Sequence, residues 1–178
     1  DFITGSPAGL PAFRPTFADV LSVASGGWVL TDVNRGAILH VDPVGRVVVL
    51  ASLRPNLTLP GRPVGLARDG EGIIVATGAQ GYVRVSSSDR GADIKPNTLV
   101  GGGTVVAVAP RSNGDPLVAI VERDQGFVAI PSTNGEIGPT HLTDDLSDLR
   151  GFVILSDGRL AVAAGTRLII TRPSLPLR

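Results

Sequence analysis

A repeat of about 45 residues constrains the fold more than any other feature of the sequence. The stretch WVLTDVNRGAILHV begins at Trp28, IIVATGAQGYVRVS at Ile73 and VAIVERDQGFVAIP at Val118. A fourth copy, LAVAAGTRLIITRP, begins at Leu160 after a slightly shorter step. The first three copies share a glycine in register, at Gly36, Gly81 and Gly126. A period of this length predicts one supersecondary unit used four times.

Each copy has the pattern of two strands joined by a tight turn, with short β-branched runs on either side of polar or glycine-containing residues. Another apolar run precedes each pair, as in VLSVASGG and VGLARDGEG. A further run follows it in the first three copies, as in RVVVLASL, NTLVGG and THLTDD. Each repeat therefore predicts a four-stranded antiparallel meander, the size of one β-propeller blade. The predicted repeats span residues 17–54, 63–101, 104–144 and 148–178.

The last copy lacks a fourth strand, and the segment DFITGS at residues 1–6 resembles the fourth strands of the other copies. We therefore predict a single all-β domain, a four-bladed propeller that is closed because strand 1–5 completes the last blade. The alternative is that the four repeats are part of a larger ring, either a piece of it or a self-associating half.

Composition excludes several functions. The 16 basic and 16 acidic residues give a formal net charge of zero, which argues against nucleic acid as a partner. The apolar runs are strand-length, so no membrane span is predicted. Cysteine is absent, which removes disulfides and thiolate sites. Methionine is absent too, so Asp1 is not a translation start. With the sequon Asn56-Leu57-Thr58, this predicts a processed protein that is extracellular or at the cell surface.

Residues 26–46, with the pattern Thr-Asp-x-Asn-Arg-Gly-x-Ile, resemble the blades of NHL-repeat and gluconolactonase-like propellers. Residues 156–173 carry the same pattern in part. The resemblance implies the propeller fold. It also implies a metal-dependent lactonase as one candidate activity, in which a divalent cation such as Ca²⁺ lies in the central channel. The ligands would be Asp32 and Glu122, which share one repeat position, with an amide such as that of Asn34.

Apart from Asp32, Glu122 and Asn34, the sequence contains no recognisable group of catalytic residues. His40 and His141 lie within predicted strands, where a structural role is expected. The main prediction is a non-catalytic module without a cofactor that binds a protein or a glycan through one rim. A second alternative is a structural subunit that self-assembles by strand exchange into a homo-oligomer. The predicted rim residues are polar and lie in or beside turns: Asp32, Asn34, Arg35, Arg62, Glu122, Asp124, Gln125, Asp145 and Arg150.

Overall fold

The structure is a computed structural model that describes residues 16–24, 26–53, 62–70, 72–78, 81–88, 91–98, 103–111, 115–131 and 140–174. These ranges contain sixteen strands and no helix, so they include no helix that could cross a membrane. All of the strand pairs are antiparallel. The strands form four separate sheets.

Within each sheet the strands follow one another in chain order. The first sheet contains β1 (Phe17–Ser22), β2 (Trp28–Asp32), β3 (Ala37–Val41) and β4 (Val47–Ser52). The second contains β5 (Gly65–Asp69), β6 (Gly72–Ala76), β7 (Gly81–Ser88) and β8 (Gly91–Thr98). The third contains β9 (Thr104–Ala109), β10 (Leu117–Glu122), β11 (Gln125–Ile130), β12 (Thr140–His141) and β13 (Leu146–Ser147). The fourth contains β14 (Leu149–Ile154), β15 (Leu160–Ala164) and β16 (Arg167–Thr171).

The third sheet differs from the others only at its outer edge. Both β12 and β13 pair with β11, so they act as one outer strand that is interrupted by a bend at residues 142–145. The predicted meander of four strands is therefore present in the first three sheets, and the fourth sheet has three strands within the described residues.

Three apolar clusters hold the sheets together face to face. One joins the first and second sheets and includes Ile38 and Val75, and the next joins the second and third sheets around Tyr82 and Ile120. The third cluster joins the third and fourth sheets around Val128. Both faces of the middle sheets are thereby buried, which explains why β10 reads LVAIVE rather than as a strict alternation.

The first strand of each sheet is the innermost one, because β1 packs against β5, β5 against β9, and β9 against β14. The four sheets thus follow one another around a common centre, as the blades of a propeller do. None of the apolar clusters formed by the described residues joins the fourth sheet to the first. The predicted closing strand, residues 1–5, lies outside the described residues.

The aligned glycines do not mark one backbone position. Gly36 lies in the β2–β3 turn with a φ of 60°, whereas Gly81 begins β7 and Gly126 lies within β11. At Gly126 a side chain is excluded for another reason, since an added Cβ would lie 2.6 Å from the Cβ of Leu149. Glycines that are in register in the sequence thus occupy different backbone positions, because the turns differ in length. The residues with positive φ in the four turns are Gly36, Gly78, Arg123 and Gly165.

Candidate functional site

The described residues that join second to third strands, and those that lead into each innermost strand, lie at one edge of the assembly, which we call the turn rim. Pairing of the strand ends shows this, since Asp32 pairs with Ala37 and Glu122 with Gln125. The chain also enters each innermost strand from this edge, as at Arg150 beside the start of β14. All nine predicted rim residues therefore lie on the turn rim. Of these, only Asp32 is buried: Asn34, Arg62, Glu122, Asp124, Gln125, Asp145 and Arg150 are exposed, and Arg35 is partly exposed.

Asp32 stabilises its own turn. Its Oδ1 accepts hydrogen bonds from the backbone N–H groups of Asn34 and Arg35, both at 3.2 Å. Its Oδ2 lies 3.6 Å from Nε of Arg35. An aspartate that bonds the amides two and three residues ahead fixes a turn in the way an Asx turn does. The Asp32 side chain is fully buried, and the local backbone engages its Oδ1, while Oδ2 accepts no hydrogen bond from a described residue and lies near the Arg35 guanidinium.

The remaining rim residues are oriented by their turns. The side-chain amide of Asn34 donates to Oγ1 of Thr16 at 2.7 Å, which ties the β2–β3 turn to the entrance of β1. Arg150 forms a hydrogen-bonded ion pair with Asp148 at 2.9 Å, and this hydrogen bond, with the charge of Asp148, raises the pKa of Arg150. Asp148 itself has a φ of 53°. These contacts hold charged groups at the surface of the rim.

The predicted metal site requires Asp32 and Glu122 to face one another. They belong to the first and third sheets, with the second sheet between them, and the carboxylate of Asp32 is held in its own turn. Within the described residues, no group of three or more His, Cys, Asp or Glu side chains could hold a metal ion. A cation held by Asp32 and Glu122 therefore stays a prediction, and no step through such a cation is derived.

A central cavity of about 640 Å³ lies among the innermost strands. Each of the four sheets contributes to its lining through β1, β5, β9 and β14. The lining is largely apolar and includes three charged side chains: Asp19, Arg68 and Arg150. The volume is within the range of small-molecule sites, and a few polar groups in an apolar lining are typical of such sites.

Irregularities in three innermost strands shape this cavity. In β1, Ala18 and Asp19 lie opposite the single residue Thr31, and β9 and β14 each carry one extra residue, Val106 and Arg150. All four of these inner-strand residues line the cavity. β-bulges release a side chain from the regular alternation, and they are common beside binding sites. They were missed in the sequence, where only the register with a neighbouring strand would reveal the extra residue.

Asp19 links two sheets at the centre. Its Oδ2 accepts a hydrogen bond of 2.7 Å from the backbone N–H of Leu66 in β5, and its Oδ1 accepts one from the N–H of Val20. Arg68, also on β5, donates to the carbonyl oxygen of Ser22 at 2.7 Å. These bonds hold the first two innermost strands together while their polar groups line the cavity. The role of Asp19 is structural, and sequence reasoning did not single it out.

The two histidines lie in strands, as predicted. His40 is part of β3 and lines a groove of about 470 Å³ between the first and second sheets. His141 is part of β12 and is exposed, and its ring stacks on Phe127 with 3.6 Å between centroids. Neither imidazole forms a hydrogen bond to a serine or to a carboxylate within the described residues.

Comparisons with known proteins support the propeller. No known protein family matches the sequence, and no curated protein does. Among solved structures, a streptogramin B lyase has a TM-score of 0.65 and 15% identity over 89% of this chain and 55% of its own. A gluconolactonase-like protein has a TM-score of 0.61 and 14% identity over 90% of this chain and 59% of its own.

A third neighbour is the extracellular domain of a hybrid two-component system from B. thetaiotaomicron. Its TM-score is 0.64 and its identity 12%, over 94% of this chain and 22% of its own. The chain thus has a β-propeller fold, as the blade pattern predicted, and a gluconolactonase-like propeller is among the structures that it resembles. It spans just over half the length of the first two neighbours. At these identities the likeness shows the fold alone, since one fold hosts many activities.

Proposed function

We propose that the chain is a non-catalytic binding module, which recognises a protein partner through the turn rim. The observation that carries the proposal is the collection of exposed charges of both signs on that one rim, including Arg62, Glu122, Asp124, Asp145 and Arg150. Loops held by a rigid sheet scaffold are the usual place for recognition. Mixed charges on such loops select partners by complementarity and steer their association.

The rim chemistry favours a protein over a glycan. Sugar sites rely on aromatic rings that stack on the apolar faces of the sugar. The nine rim residues include no aromatic side chain, whereas seven of them are charged, four acidic and three basic. A partner segment with interspersed charges is therefore the expected ligand. We place the module outside the cell, in agreement with the extracellular neighbour.

Selection of binders from a random peptide display library, followed by measured affinities, tests this proposal. We expect peptides whose affinity falls at least about tenfold for Asp124→Arg with Asp145→Arg, because two attractive charges become repulsive. The matched control is Val44→Arg with Ser156→Arg, which also adds two arginines at exposed turns, but on the opposite rim. This control is expected to bind like the wild type.

Three results would overturn the proposal. One is a set of peptides that bind the rim variant and the control equally. Another is a glycan array that yields ligands where the peptide library yields none. The third is hydrolysis of gluconolactone in the presence of CaCl₂ above the rate of the buffer, which would favour the lactonase alternative.

A further inference from the structure

Among the residues that the structure describes, no other sheet covers one apolar face of the first sheet, which we call the back face. It is defined by directly paired residues, which lie on one side of a sheet. Val20 pairs with Leu30, Leu30 with Leu39 and Leu39 with Val49, while Trp28 pairs with Val41. Of these, Val20, Trp28 and Val49 are large apolar side chains that are exposed. The back face therefore comprises Val20, Trp28, Leu30, Leu39, Val41 and Val49.

The fourth sheet has a similar uncovered face at the other end of the series, which we call the front face. Val153 pairs with Ala161 and Ala161 with Ile170, while Ala163 pairs with Gly151 and Leu168. Val153, Leu168 and Ile170 are exposed. The front face therefore comprises Gly151, Val153, Ala161, Ala163, Leu168 and Ile170.

Positions of the back face are buried in every other copy of the repeat. Trp28 is 52% exposed, whereas the equivalent Ile73, Val118 and Leu160 are 7%, 0% and 0% exposed. Val20 is 54% exposed, whereas the residues with the same pairing in the other sheets, Leu66, Val105 and Phe152, are 9%, 0% and 8% exposed. The back face thus has the composition of an internal sheet contact without its partner.

The front face follows the same rule. Leu168 is 69% exposed, while Ile38 and Tyr82, which have the equivalent pairing in the first and second sheets, are fully buried. The exposed positions of Val20, Trp28 and Leu168 therefore correspond to positions that are buried sheet contacts within the series.

The two faces also match in side-chain size. At the contact between the third and fourth sheets, small residues of one sheet share an apolar cluster with large residues of the next: Ala107 and Ala119 of the third sheet with Phe152 and Leu160 of the fourth. The front face has small residues at its centre, Gly151, Ala161 and Ala163, and the back face has large ones. A front face can therefore pack on a back face as the internal sheets pack, at the density of a protein interior.

We propose that the front face of one copy packs on the back face of a second copy, and that two such head-to-tail contacts close a ring of two chains. Such contacts between unlike faces form closed rings when the rotation between copies allows it. Two copies provide eight sheets, the upper end of the usual range for propellers.

A second copy is the occupant that the observations favour. The two faces contain no charged residue, so their burial leaves no unpaired charge. No apolar cluster of described residues joins the fourth sheet to the first sheet of the same chain, and each face has three large apolar side chains exposed. The second of the two contacts forms within the complex, which strengthens the pair.

The mass of the protein in solution, measured by light scattering across a dilution series, tests the proposal. We expect twice the 18.3 kDa of one chain at micromolar concentration, with dissociation on dilution. Trp28 is the only tryptophan and lies in the back face, so its fluorescence reports on this contact. We expect its emission to shift to the red as the dimer dissociates.

Substitutions then identify the faces. Val20→Arg on the back face and Leu168→Arg on the front face are each expected to give a monomer, because both contacts of the ring are then lost. An equimolar mixture of the two variants is expected to form a dimer again, since one contact joins two intact faces. Val44→Arg, at an exposed position outside both faces, is the matched control and is expected to remain dimeric. Circular dichroism checks that each variant has the wild-type strand content.

Several results would overturn the proposal. A wild-type monomer at 100 μM, on the order of the concentrations where specific dimers form, is one of them. If that monomer has blue-shifted Trp28 emission at every concentration, the back face is covered within the chain, for example by residues 1–15. A series of masses above the dimer indicates contacts that do not close. Two variants that stay dimeric, or a mixture that stays monomeric, exclude the head-to-tail geometry. None of these results bears on binding through the turn rim.

Discussion

At the residue scale, Asp32 shows how a polar cluster in a sequence becomes the support of a turn. The stretch Asp32–Arg35 contains the groups expected of a binding site, yet its carboxylate accepts from two amides of the same turn and is fully buried. A buried acceptor that satisfies backbone donors is costly to remove, because the donors then lose their partner. The carboxylate of this cluster therefore binds backbone groups of its own turn.

We expect Asp32→Ala to reduce the free energy of unfolding by about 1–3 kcal/mol, because two turn amides lose their acceptor and Arg35 loses its ion-pair partner. Asp32→Asn keeps one acceptor oxygen, so the expected loss is smaller. Urea unfolding followed by circular dichroism measures both. If CaCl₂ raised the Tm of the wild type but not of Asp32→Ala, a metal-binding role would replace the structural one.

Tyr82 is the second residue whose environment has a measurable consequence. Its ring is fully buried between the second and third sheets, and its hydroxyl donates to Oδ1 of Asp115 at 3.1 Å. Burial, together with the charge of Asp115, raises the pKa of Tyr82 well above its ordinary value of 10.0. In the folded state the phenol therefore stays protonated where an unfolded tyrosine would ionise.

Because the pKa of Tyr82 is higher in the folded state than in the unfolded state, its contribution is complete below pH 10.0 and is lost as the pH rises beyond that. We expect stability to fall with alkaline pH in the wild type and to fall less in Tyr82→Phe. As Tyr82 is the only tyrosine, phenolate absorbance follows it directly. A phenolate that appears near pH 10 while the strand signal persists would contradict the buried hydrogen bond.

At the scale of the element, the bulge in β1 depends on a side chain of the neighbouring strand. Oγ1 of Thr31, a fully buried residue of β2, accepts from the backbone N–H groups of Ala18 at 3.2 Å and Asp19 at 2.9 Å. These two residues form the bulge, where the regular ladder does not provide a backbone acceptor for each N–H group. The hydroxyl thereby replaces the missing backbone acceptor.

We expect Thr31→Val to cost about 1–2 kcal/mol, because the shape is kept while two partly buried backbone N–H groups lose their acceptor. Thr31→Ser keeps the hydroxyl and is the matched control, with a smaller loss from one methyl group. Denaturant unfolding gives the difference, and hydrogen exchange at Ala18 and Asp19 locates it. Equal stability of the two variants would mean that the hydroxyl is not needed at the bulge.

The sheets could be predicted from the sequence and the turns only in part. Apolar residues recur every 45 residues because each repeat buries the same positions between sheets, and this local pattern is sufficient to predict four meanders. The turn lengths could not be predicted: four residues separate Asp32 from Ala37, but two separate Glu122 from Gln125. A positive φ at Arg123 rather than at a glycine closes the shorter turn.

The only part of the candidate site that could be predicted is the part that follows from the order of the strands along the chain. The rim residues follow from strand alternation, since every second-to-third turn must lie at the same edge. The cavity residues Asp19, Val106 and Arg150 do not, because a bulge is a property of two strands in register. The exposed faces at the ends of the series could not be predicted either. Trp28 and Leu168 are apolar residues at repeat positions where other copies have buried apolar residues, so the sequence does not reveal that they are exposed.

At the scale of the whole molecule, the uncovered end faces link folding to association. A partner that binds only the folded chain stabilises it in proportion to its occupancy. We therefore expect the Tm of the wild type to rise with protein concentration, and that of Leu168→Arg to be independent of it. Scanning calorimetry at two or more concentrations measures this. Identical concentration dependence in both proteins would mean that the front face contributes nothing to stability.

When a protein evolves or is redesigned, changes that alter a binding cavity usually conflict with the pairing of the strands that line it. The bulges around the central cavity separate these two requirements. Residues within a regular ladder are restricted by their cross-strand neighbours, whereas Ala18, Val106 and Arg150 are extra residues whose side chains line the cavity. Mutational drift at these three positions can alter the size and charge of the opening while the pairing of every sheet is preserved. Substitutions at these positions can therefore adapt the cavity of one scaffold to new ligands with little effect on the fold.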